Sequence, residues 1–209
     1  RGRRRHARSG PCGVTVTLPA MTRTPEQFEL IIVGSGSGNS IPAYLAGRKI
    51  ALVERDPVYG GTCLNRGCIP SKMFVLPADL AADAAASARL GIDVRFHGAD
   101  WAAIRDRVFA RIDAISASGH EYRATGTPGL TLLEGTARFT GERVLDVEMH
   151  DGSVRTITAP YVFVATGSRP VIPDIPGLAE AGYHTSDTIM RLDSFPARLG
   201  VIGGGVIAA

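Results

Sequence analysis

The stretch GGTCLNRGCIPSK, residues 60 to 72, carries two cysteines five positions apart. A disulfide between Cys63 and Cys68 needs Cα atoms within about 4.4 to 6.8 Å of each other, whereas an undistorted helix rises about 7.5 Å over five residues. The segment must therefore bend, and Gly67 is the residue that permits a bend. Pro70 suits the first turn of a new helix, so Cys68 is expected beside a positive helix end, which favours a reactive thiolate.

Three other uses of this cysteine pair stay open. A stapling disulfide is unusual in a chain that has no secretion signal and an odd third cysteine. Half of a zinc site requires a second pair of cysteine or histidine ligands, and none of suitable spacing follows, so no metal site is predicted. The third alternative is a pair of inert buried thiols.

Upstream of the cysteines, the sequence has the order of a βαβ nucleotide-binding unit. The apolar run ELIIV, residues 29 to 33, is typical of a parallel strand buried on both faces. It leads into the glycine-rich turn GSGSGNS, residues 34 to 40, and a helix-length stretch follows to residue 46. A second strand, residues 50 to 53, ends at Glu54. This order predicts a doubly wound α/β fold.

The glycine turn predicts a dinucleotide site. Gly34 permits the tight turn, and Gly36 lets a pyrophosphate approach the backbone at the positive end of a helix. Asn39 replaces the third glycine of the usual G-x-G-x-x-G pattern, while Gly38 stands one position earlier, so a purely structural glycine turn is the alternative. Glu54, twenty residues after Gly34, stands where an acid accepts hydrogen bonds from an adenosine ribose, and this pairing favours the nucleotide site.

Downstream, two helices and a meander of strands are predicted. The alanine-rich residues 70 to 90 favour a helix interrupted at Pro77. Asp100 is a good N-cap for a second helix, whose apolar positions recur at spacings of three and four: Trp101, Ile104, Val108, Ile112 and Ile115. Residues 130 to 134, 143 to 149 and 154 to 164 are predicted strands separated by glycine-containing turns.

The end of the chain repeats its beginning. When RLGVIGGGVIAA, residues 198 to 209, is aligned with ELIIVGSGSGNS, Gly203 matches Gly34 and Gly205 matches Gly36. This repeat predicts the first strand and turn of a second nucleotide-binding domain. We therefore expect the chain to be the N-terminal part of a protein about twice as long.

Composition and charge exclude two classes of protein. The chain is 44% hydrophobic and 21% charged, as in ordinary globular proteins, and its apolar runs fall far short of the roughly 20 residues of a membrane helix. Five arginines lie in the first eight residues, and removing them changes the formal charge of +3 to −2. Because the remaining chain is mildly acidic, neither a nucleic-acid partner nor a membrane partner is expected.

Residues 1 to 25 form an Arg-rich tail that is expected to be disordered. They begin without methionine, although Met21 follows, so a translated upstream sequence or a disordered extension is the favoured interpretation. A targeting segment and a functional basic arm are the alternatives. Cys12 belongs to this tail and is interpreted as an incidental exposed thiol. Without a secretion or membrane signal, the expected location is the cytoplasm.

Taken in order, these motifs resemble the flavin-dependent pyridine nucleotide-disulfide oxidoreductase family over residues 26 to 209. The resemblance rests on GGTCLNRGCIPSK, the first glycine turn, Glu54, the segment ATGSRP at residues 165 to 170, and the second glycine turn. Within the family, the mycothione-reducing branch is the most similar. That likeness lies in GSGSGNS, RVFARID at residues 107 to 113, Ser118-Gly119 and Tyr122-Arg123, and YHTSDTIMRL at residues 183 to 192.

The resemblance implies an architecture, two cofactors and partners. It implies a Rossmann-like FAD-binding domain with a β-meander insertion over residues 26 to 175, and the start of an NADPH-binding domain over residues 176 to 209. FAD and NADPH are the implied cofactors. A small-molecule disulfide is the implied substrate, and the full-length protein is expected to be a homodimer. The family's catalytic histidine lies in a later dimerisation domain, and none of this chain's five histidines stands in its motif.

The resemblance also assigns roles to residues of this sequence. Cys63 matches the interchange thiol that attacks the substrate, and Cys68 matches the thiol next to the flavin. Residues that match FAD contacts, or belong to the FAD-binding segments, are Gly34, Gly36, Ser37, Gly38, Glu54, Thr62, Lys72, Ala137, Thr166 and Gly167. Residues that match the NADPH fingerprint are Gly203, Gly205 and Ala208.

The implied function is NADPH-dependent reduction of a low-molecular-weight disulfide, mycothione, to mycothiol through the cysteine pair. One alternative is NAD-linked oxidation of a dithiol, as in dihydrolipoamide dehydrogenase. Alternatives of another class are a catalytically inert flavin-binding fragment and a redox-regulatory protein that uses only the cysteines. We expect the 209 residues by themselves to lack reductase activity.

Overall fold

A computed structural model describes residues 24 to 208. The prediction of a disordered tail, including Cys12, falls almost wholly outside these residues. The strands are β1 (Glu26–Gln27), β2 (Leu30–Val33), β3 (Ile50–Glu54), β4 (Leu130–Gly141), β5 (Val144–Met149), β6 (Val154–Thr158) and β7 (Tyr161–Val164). The helices are α1 (Gly61–Asn65), α2 (Cys68–Ala86), α3 (Trp101–Ala124) and α4 (Leu178–Ala181).

The strands of the described residues form one mixed sheet in the order β1-β6-β5-β4-β3-β2-β7. Strands β7, β2, β3 and the first part of β4 are parallel, as a doubly wound nucleotide-binding domain requires. From Gly135 onward, β4 pairs antiparallel with β5, and β5 pairs antiparallel with β6. The prediction of an α/β domain with a β-meander is confirmed.

Apolar side chains on both faces of the sheet explain why β2 and β3 have continuous apolar sequences. Ile31, Ala51 and Val53 pack on one face with residues of β4 and the meander. Ile32 and Leu52 pack on the other face together with Tyr59. A strand covered on both faces buries every side chain, so the period-two alternation of a half-exposed strand is absent.

Helix α3 supports the two helices that carry the cysteines. It begins after Asp100, whose Oδ1 accepts a hydrogen bond of 2.9 Å from the N–H of Ala103, so the predicted N-cap is confirmed. Val108, Phe109 and Ile112 form a buried cluster on α3, against which Leu64, Met73 and Phe74 pack. Because Leu64 belongs to α1 and the other two to α2, this cluster fixes both cysteine-bearing helices.

The helix expected between the first glycine turn and residue 46 is wrong. Two short 3-10 turns, Ser37–Asn39 and Ala43–Leu45, occupy this stretch. Pro42 is extended and disfavours a helical conformation at Ile41 before it. The Asn39 side-chain amide donates to the Ser35 and Gly36 carbonyls, which are acceptors that a continuing helix would need.

The interruption predicted at Pro77 is also wrong, since α2 continues through this residue to Ala86. A proline removes one backbone hydrogen bond, and this loss alone does not end α2, whose turn before Pro77 is held on α3 by Met73 and Phe74. Conversely, the predicted strand from 154 to 164 is two strands. The chain leaves β6 through Ala159 and Pro160, then crosses to pair β7 with β2 at the other edge of the sheet.

Two further differences concern strand length and the end of the chain. The predicted strand of residues 130 to 134 extends to Gly141, because the same strand pairs first with β3 and then with β5. Residues 199 to 202 form no strand. The turn that follows keeps its predicted shape, since Gly203 has φ +119° and its counterpart Gly34 has φ +113°.

Candidate active site

The two cysteines lie at a junction of helices. Helix α1 ends at Asn65 and α2 begins at Cys68, with Arg66 and Gly67 between them. A Cβ at Gly67 would stand 3.2 Å from the Thr62 carbonyl oxygen, so glycine lets the chain turn back tightly over α1. Pro70 is buried in the first turn of α2. The predicted bend at Gly67 and the predicted position of Cys68 at a helix start are both confirmed.

Both cysteines are free thiols in this structure; Cys63 is half-buried and Cys68 is exposed. The Cys68 side chain, followed by burial, raises the pKa of the Cys63 thiol. The Ser37 side chain and the Cys68 N–H act in the opposite direction by hydrogen bonding to Cys63. The influence of Cys68 on this pKa agrees with a position of the two thiols on neighbouring helix ends, on either side of the bend. Cys63 must lose a proton that its environment retains before it can attack as a thiolate.

The first glycine turn lies beside the end of β7. Gly34 donates its N–H to the Val53 carbonyl at 2.8 Å, and Ala165 donates to the Val33 carbonyl at 2.9 Å. A Cβ at Gly34, whose φ is +113°, would stand 2.3 Å from the Ala165 oxygen. Only glycine fits there. The consequence is that Thr166 and Gly167, which follow Ala165, are exposed next to the turn.

The same turn meets the start of α1 with no side chain between the two segments. A Cβ at Gly61 would stand 2.6 Å from the Gly36 Cα, and the Gly60 N–H donates to Ser35 Oγ at 2.9 Å. The N–H groups of Ser37 and Gly38 take no part in the backbone hydrogen bonds that hold this turn. Free N–H groups in a glycine-rich turn form an anion site, so these residues fit the pyrophosphate of a dinucleotide. The turn of residues 34 to 40, together with the start of α1, is called the cradle below.

Glu54 joins the end of β3 to this cradle. One carboxylate oxygen accepts the Ser35 N–H at 2.8 Å, and the other accepts the Asp56 N–H at 2.7 Å. An ionised carboxylate has about four lone-pair sites, so roughly two remain for outside donors. Glu54 therefore both holds the turn and fits the hydroxyls of a ribose.

The remaining predicted FAD contacts lie on elements that meet this site. Thr62 is exposed in α1, and Lys72 is exposed at the fifth position of α2. Ala137 lies in β4, three residues beyond Glu134, which is the register partner of Glu54. The predicted residues thus belong to segments that meet near the carboxyl ends of the parallel strands. These segments are the first turn, α1, α2, β4 and the segment after β7.

The second glycine turn stands apart from these residues. A Cβ at Gly203 or Gly205 would meet nothing within 4 Å, in contrast with the close contacts at Gly34.

His184, which the sequence places in a family segment, has its Nδ1 atom 3.2 Å from Thr188 Oγ1. This local contact agrees with a structural role for His184.

Two residues that sequence reasoning did not assign hold the glycine turn. Asn39 donates to the Gly36 carbonyl at 2.9 Å and to the Ser35 carbonyl, while Arg123 of α3 donates to Asn39 Oδ1 at 2.8 Å. Asn39, which replaces the usual third glycine, thus acts as a clamp: its side chain ties the glycine turn to itself and to α3. Asn39 and Arg123 both stand in segments that carry the family likeness, but nothing in the sequence paired these two residues, which are 84 positions apart.

Asn65 and Tyr59 are a second unassigned pair, beneath α1. Asn65 Nδ2 donates to the Tyr59 carbonyl at 2.9 Å, and the Ser116 hydroxyl of α3 donates to the same oxygen. The Asn65 Oδ1 and the Tyr59 hydroxyl oxygen are buried without a hydrogen-bond partner within the described residues. These contacts anchor the loop before α1 on α3.

We expect Asn39→Ala to loosen the glycine turn. The variant removes two donated bonds and the acceptor of Arg123, so the free energy of unfolding should fall by about 1 to 3 kcal/mol. Urea titration followed by circular dichroism measures this loss. Ser40→Ala, a change at the exposed neighbouring residue, is the matched control and should unfold like the unchanged chain. Equal unfolding midpoints for the two variants would show that Asn39 is no clamp.

Comparison with known proteins places this site in a family. The model of the family described as "Pyridine nucleotide-disulphide oxidoreductase" matches residues 28–209. The chain belongs to this family. The match includes both glycine turns and the cysteine segment, and it confirms the family expected from the sequence.

Curated relatives of this oxidoreductase chain include enzymes with two different names. Mycothione reductase from Mycobacterium tuberculosis (strain ATCC 25618 / H37Rv) is 39% identical over 191 residues, which cover 88% of this chain and 40% of the relative. Mercuric reductase from Shewanella putrefaciens is 33% identical over 190 residues, which cover 90% of this chain and 34% of the relative. The chain therefore spans two fifths or less of the length of these relatives.

Solved structures agree with this assignment. The HOCl-induced flavoprotein disulfide reductase RclA from Escherichia coli matches with a TM-score of 0.64 and 27% identity, over 85% of this chain and 37% of that chain. Its Cu(II) complex matches with a TM-score of 0.67 and 26% identity, over 86% of this chain and 38% of that chain.

Within residues 24 to 208, no helix is both long enough and apolar enough to cross a membrane.

Proposed function

We propose that this chain carries the FAD-binding and redox-cysteine part of an NADPH-dependent reductase of a low-molecular-weight disulfide. The observation that carries the proposal is the placement of Cys63 and Cys68 on either side of the α1–α2 bend, where the start of α1 packs on the glycine turn. Mycothione is the proposed substrate, and the 39% identity to a mycothione reductase supports this choice.

The cysteine pair performs the chemistry by thiol–disulfide exchange. The Cys63 thiolate attacks one sulfur of the substrate disulfide, forms a mixed disulfide and releases the first substrate thiol. Cys68 then attacks Cys63 Sγ, which closes the Cys63–Cys68 disulfide and releases the second thiol. One substrate disulfide is reduced by two electrons while the cysteine pair is oxidised by two. Bound FAD supplies the two-electron reduction that restores the dithiol, with NADPH as the electron source.

The order of attack follows the family motif. In the chain without a cofactor, solvent exposure by itself would favour Cys68 as the attacking thiol, since Cys68 is exposed and Cys63 is half-buried. The family resemblance instead assigns the attack to Cys63 and the flavin side to Cys68, and the proposal follows that assignment. The variants described in the Discussion separate the two orders.

The residues around the cradle would hold FAD. The N–H groups of Ser37 and Gly38 would bind the pyrophosphate, and Glu54 would bind the adenosine ribose. Thr62, Lys72, Ala137, Thr166 and Gly167 would line the same edge. Residues 26 to 175 would form the FAD-binding domain, and residues 176 to 209 would begin the NADPH-binding domain at Gly203 and Gly205. The full-length protein would act as a homodimer.

Reduction of a soft metal ion is the second candidate function, because a mercuric reductase is 33% identical to this chain. Two adjacent thiolates are ligands that a soft cation prefers. A single-turnover reaction distinguishes the candidates. The chain is reduced, freed of reductant and mixed with one equivalent of mycothione, glutathione disulfide or Hg(II).

The expected result is one mycothione consumed per chain, two thiols released, and a Cys63–Cys68 disulfide found by peptide mass spectrometry. Mycothione should react roughly tenfold or more faster than glutathione disulfide, a typical margin for substrate discrimination. Binding of Hg(II) without exchange with either disulfide would support the second candidate. Exchange that leaves no Cys63–Cys68 bond would contradict the proposed use of the pair.

A further inference from the structure

Arg66 occupies one of the two positions that make the bend between the cysteines. It follows the last residue of α1, with φ −142° and ψ 5°, and its N–H donates to the Thr62 carbonyl at 2.8 Å. It lies three residues after Cys63 and two before Cys68. Gly67, the other residue of the bend, has no side chain. The side chain of Arg66 is therefore the means by which this bend can be tied to other parts of the molecule.

That side chain forms an ion pair with Asp56, in the loop after β3. Arg66 Nη1 lies 2.7 Å from Asp56 Oδ2, and the two side chains are only 25% and 18% exposed. Burial opposes ionisation of Asp56, but hydrogen bonds from Arg66 and the Val58 N–H keep the pKa of this carboxyl below its ordinary value. The hydrogen bond to Asp56 correspondingly raises the pKa of Arg66. Both groups are charged, and both are held in place.

The pair connects the bend to the cofactor cradle. The Asp56 N–H donates to Glu54 Oε1 at 2.7 Å, and the other oxygen of Glu54 accepts the Ser35 N–H at 2.8 Å. An unbroken series of contacts thus runs from the cysteine junction through Arg66, Asp56 and Glu54 to the glycine turn. By this route, the position of the bend is fixed relative to the edge of the sheet.

A second ion pair reinforces the first. Arg169, after β7, lies 3.9 Å from Asp187, in the segment that precedes residues 189 to 191. The positive charge of Arg169 acts on Asp56, and the negative charge of Asp187 acts on Arg66. Asp56, Arg169 and Asp187, from three other segments, therefore add charges of alternating sign to that of Arg66 at the bend, and they favour the ionised forms of Asp56 and Arg66.

We infer that Arg66 is a positioning residue that holds Cys63 and Cys68 in the geometry needed for disulfide closure, through its ion pair with Asp56. This inference rests on the proposed redox role of the cysteines. A fixed bend raises the effective concentration of one thiol at the other, and so favours the disulfide over the dithiol. Without the Arg66 side chain, the two-residue bend samples wider arrangements and closure becomes less favourable.

The test is the equilibrium of the full chain with a glutathione buffer. One glutathione disulfide oxidises the Cys63–Cys68 dithiol to its disulfide and yields two glutathione molecules, so alkylation and mass spectrometry give the equilibrium constant. Arg66→Met should lower this constant about tenfold, a magnitude within the range of neighbouring residues that interact. Asp56→Asn should lower it similarly, and the double variant should lie no lower than the single variants, since all three break one pair.

Two further variants make the result specific. Arg95→Met removes an ion pair with Asp93 whose side chains are 77% and 81% exposed, and it should leave the constant unchanged. Arg66→Lys keeps the charge but loses the planar guanidinium, so it should give an intermediate constant and serves if Arg66→Met fails to fold. Urea unfolding of the dithiol forms is measured in parallel.

A lower unfolding free energy with an unchanged equilibrium constant would overturn the inference, because it would show that Arg66 only supports the fold. Additive effects of Arg66→Met and Asp56→Asn would overturn it as well, since the two residues would then act separately. Failure of the unchanged chain to form any Cys63–Cys68 disulfide would count against the proposed function instead. The two failures are therefore distinguishable.

Discussion

Cys63→Ser should lower the rate of the proposed stoichiometric exchange between the reduced chain and mycothione, which needs no catalytic turnover, by at least about a thousandfold. A serine hydroxyl cannot replace a thiolate in disulfide exchange. The structure places Cys63 on α1, half-buried, with its thiol against Cys68 and the Ser37 side chain. No second cysteine lies on α1 to substitute for it. The measurement is thiol release from mycothione under single-turnover conditions, in the reduced full chain.

Cys68→Ser provides the complementary result. This variant retains the attacking thiol but cannot complete the exchange, so a mixed disulfide between Cys63 and one substrate thiol should accumulate. Peptide mass spectrometry identifies the modified cysteine. Cys12→Ser, which changes the third cysteine, is the control and should behave like the unchanged chain. A mixed disulfide that forms on Cys68 in the Cys63→Ser variant would reverse the proposed order of attack.

Much of this site follows from the sequence because the decisive constraints are local. A separation of five positions gives too long a rise in a straight helix for a disulfide, and Gly67 marks the place of the bend that the structure shows. Asp100 similarly marks the start of α3, where its side chain accepts the Ala103 N–H. Glycine permits the tight bend at residue 67, and aspartate caps the helix that starts after residue 100. Both requirements come from the residues next to them in the chain.

The sequence could not supply what depends on distant partners. A proline ordinarily interrupts a helix, yet α2 continues through Pro77 to Ala86, and the turn before it packs on α3 through Met73 and Phe74. Arg66 stands unmarked in the cysteine motif, and its significance depends on Asp56 in another loop. Asn39 is a further example, since Arg123 reaches it from α3. The residues that hold the site together were therefore less predictable than those proposed to perform the chemistry.

Glu54→Lys is the second change with a large expected effect, and it concerns the cofactor. The carboxylate accepts hydrogen bonds from the Ser35 and Asp56 N–H groups, and lysine accepts none. The variant also places a cation where, in the proposed site, the ribose hydroxyls of FAD would need an acceptor. Loss of hydrogen bonds to a charged group costs about 1.5 to 3 kcal/mol, which corresponds to roughly a 10- to 150-fold weaker FAD affinity.

Flavin content after purification and titration with added FAD measure this loss. Glu134→Lys is the matched control, because Glu134 is the register partner of Glu54 on β4, is half exposed, and contacts the exposed His120 rather than the glycine turn. It should retain FAD while introducing the same change of charge. Glu54→Gln keeps the size of the side chain and one acceptor oxygen, so its affinity should lie between those of the unchanged chain and Glu54→Lys. If Glu54→Lys binds FAD as tightly as Glu134→Lys, then the Glu54 carboxylate does not bind the ribose, and the glycine turn keeps its shape without it.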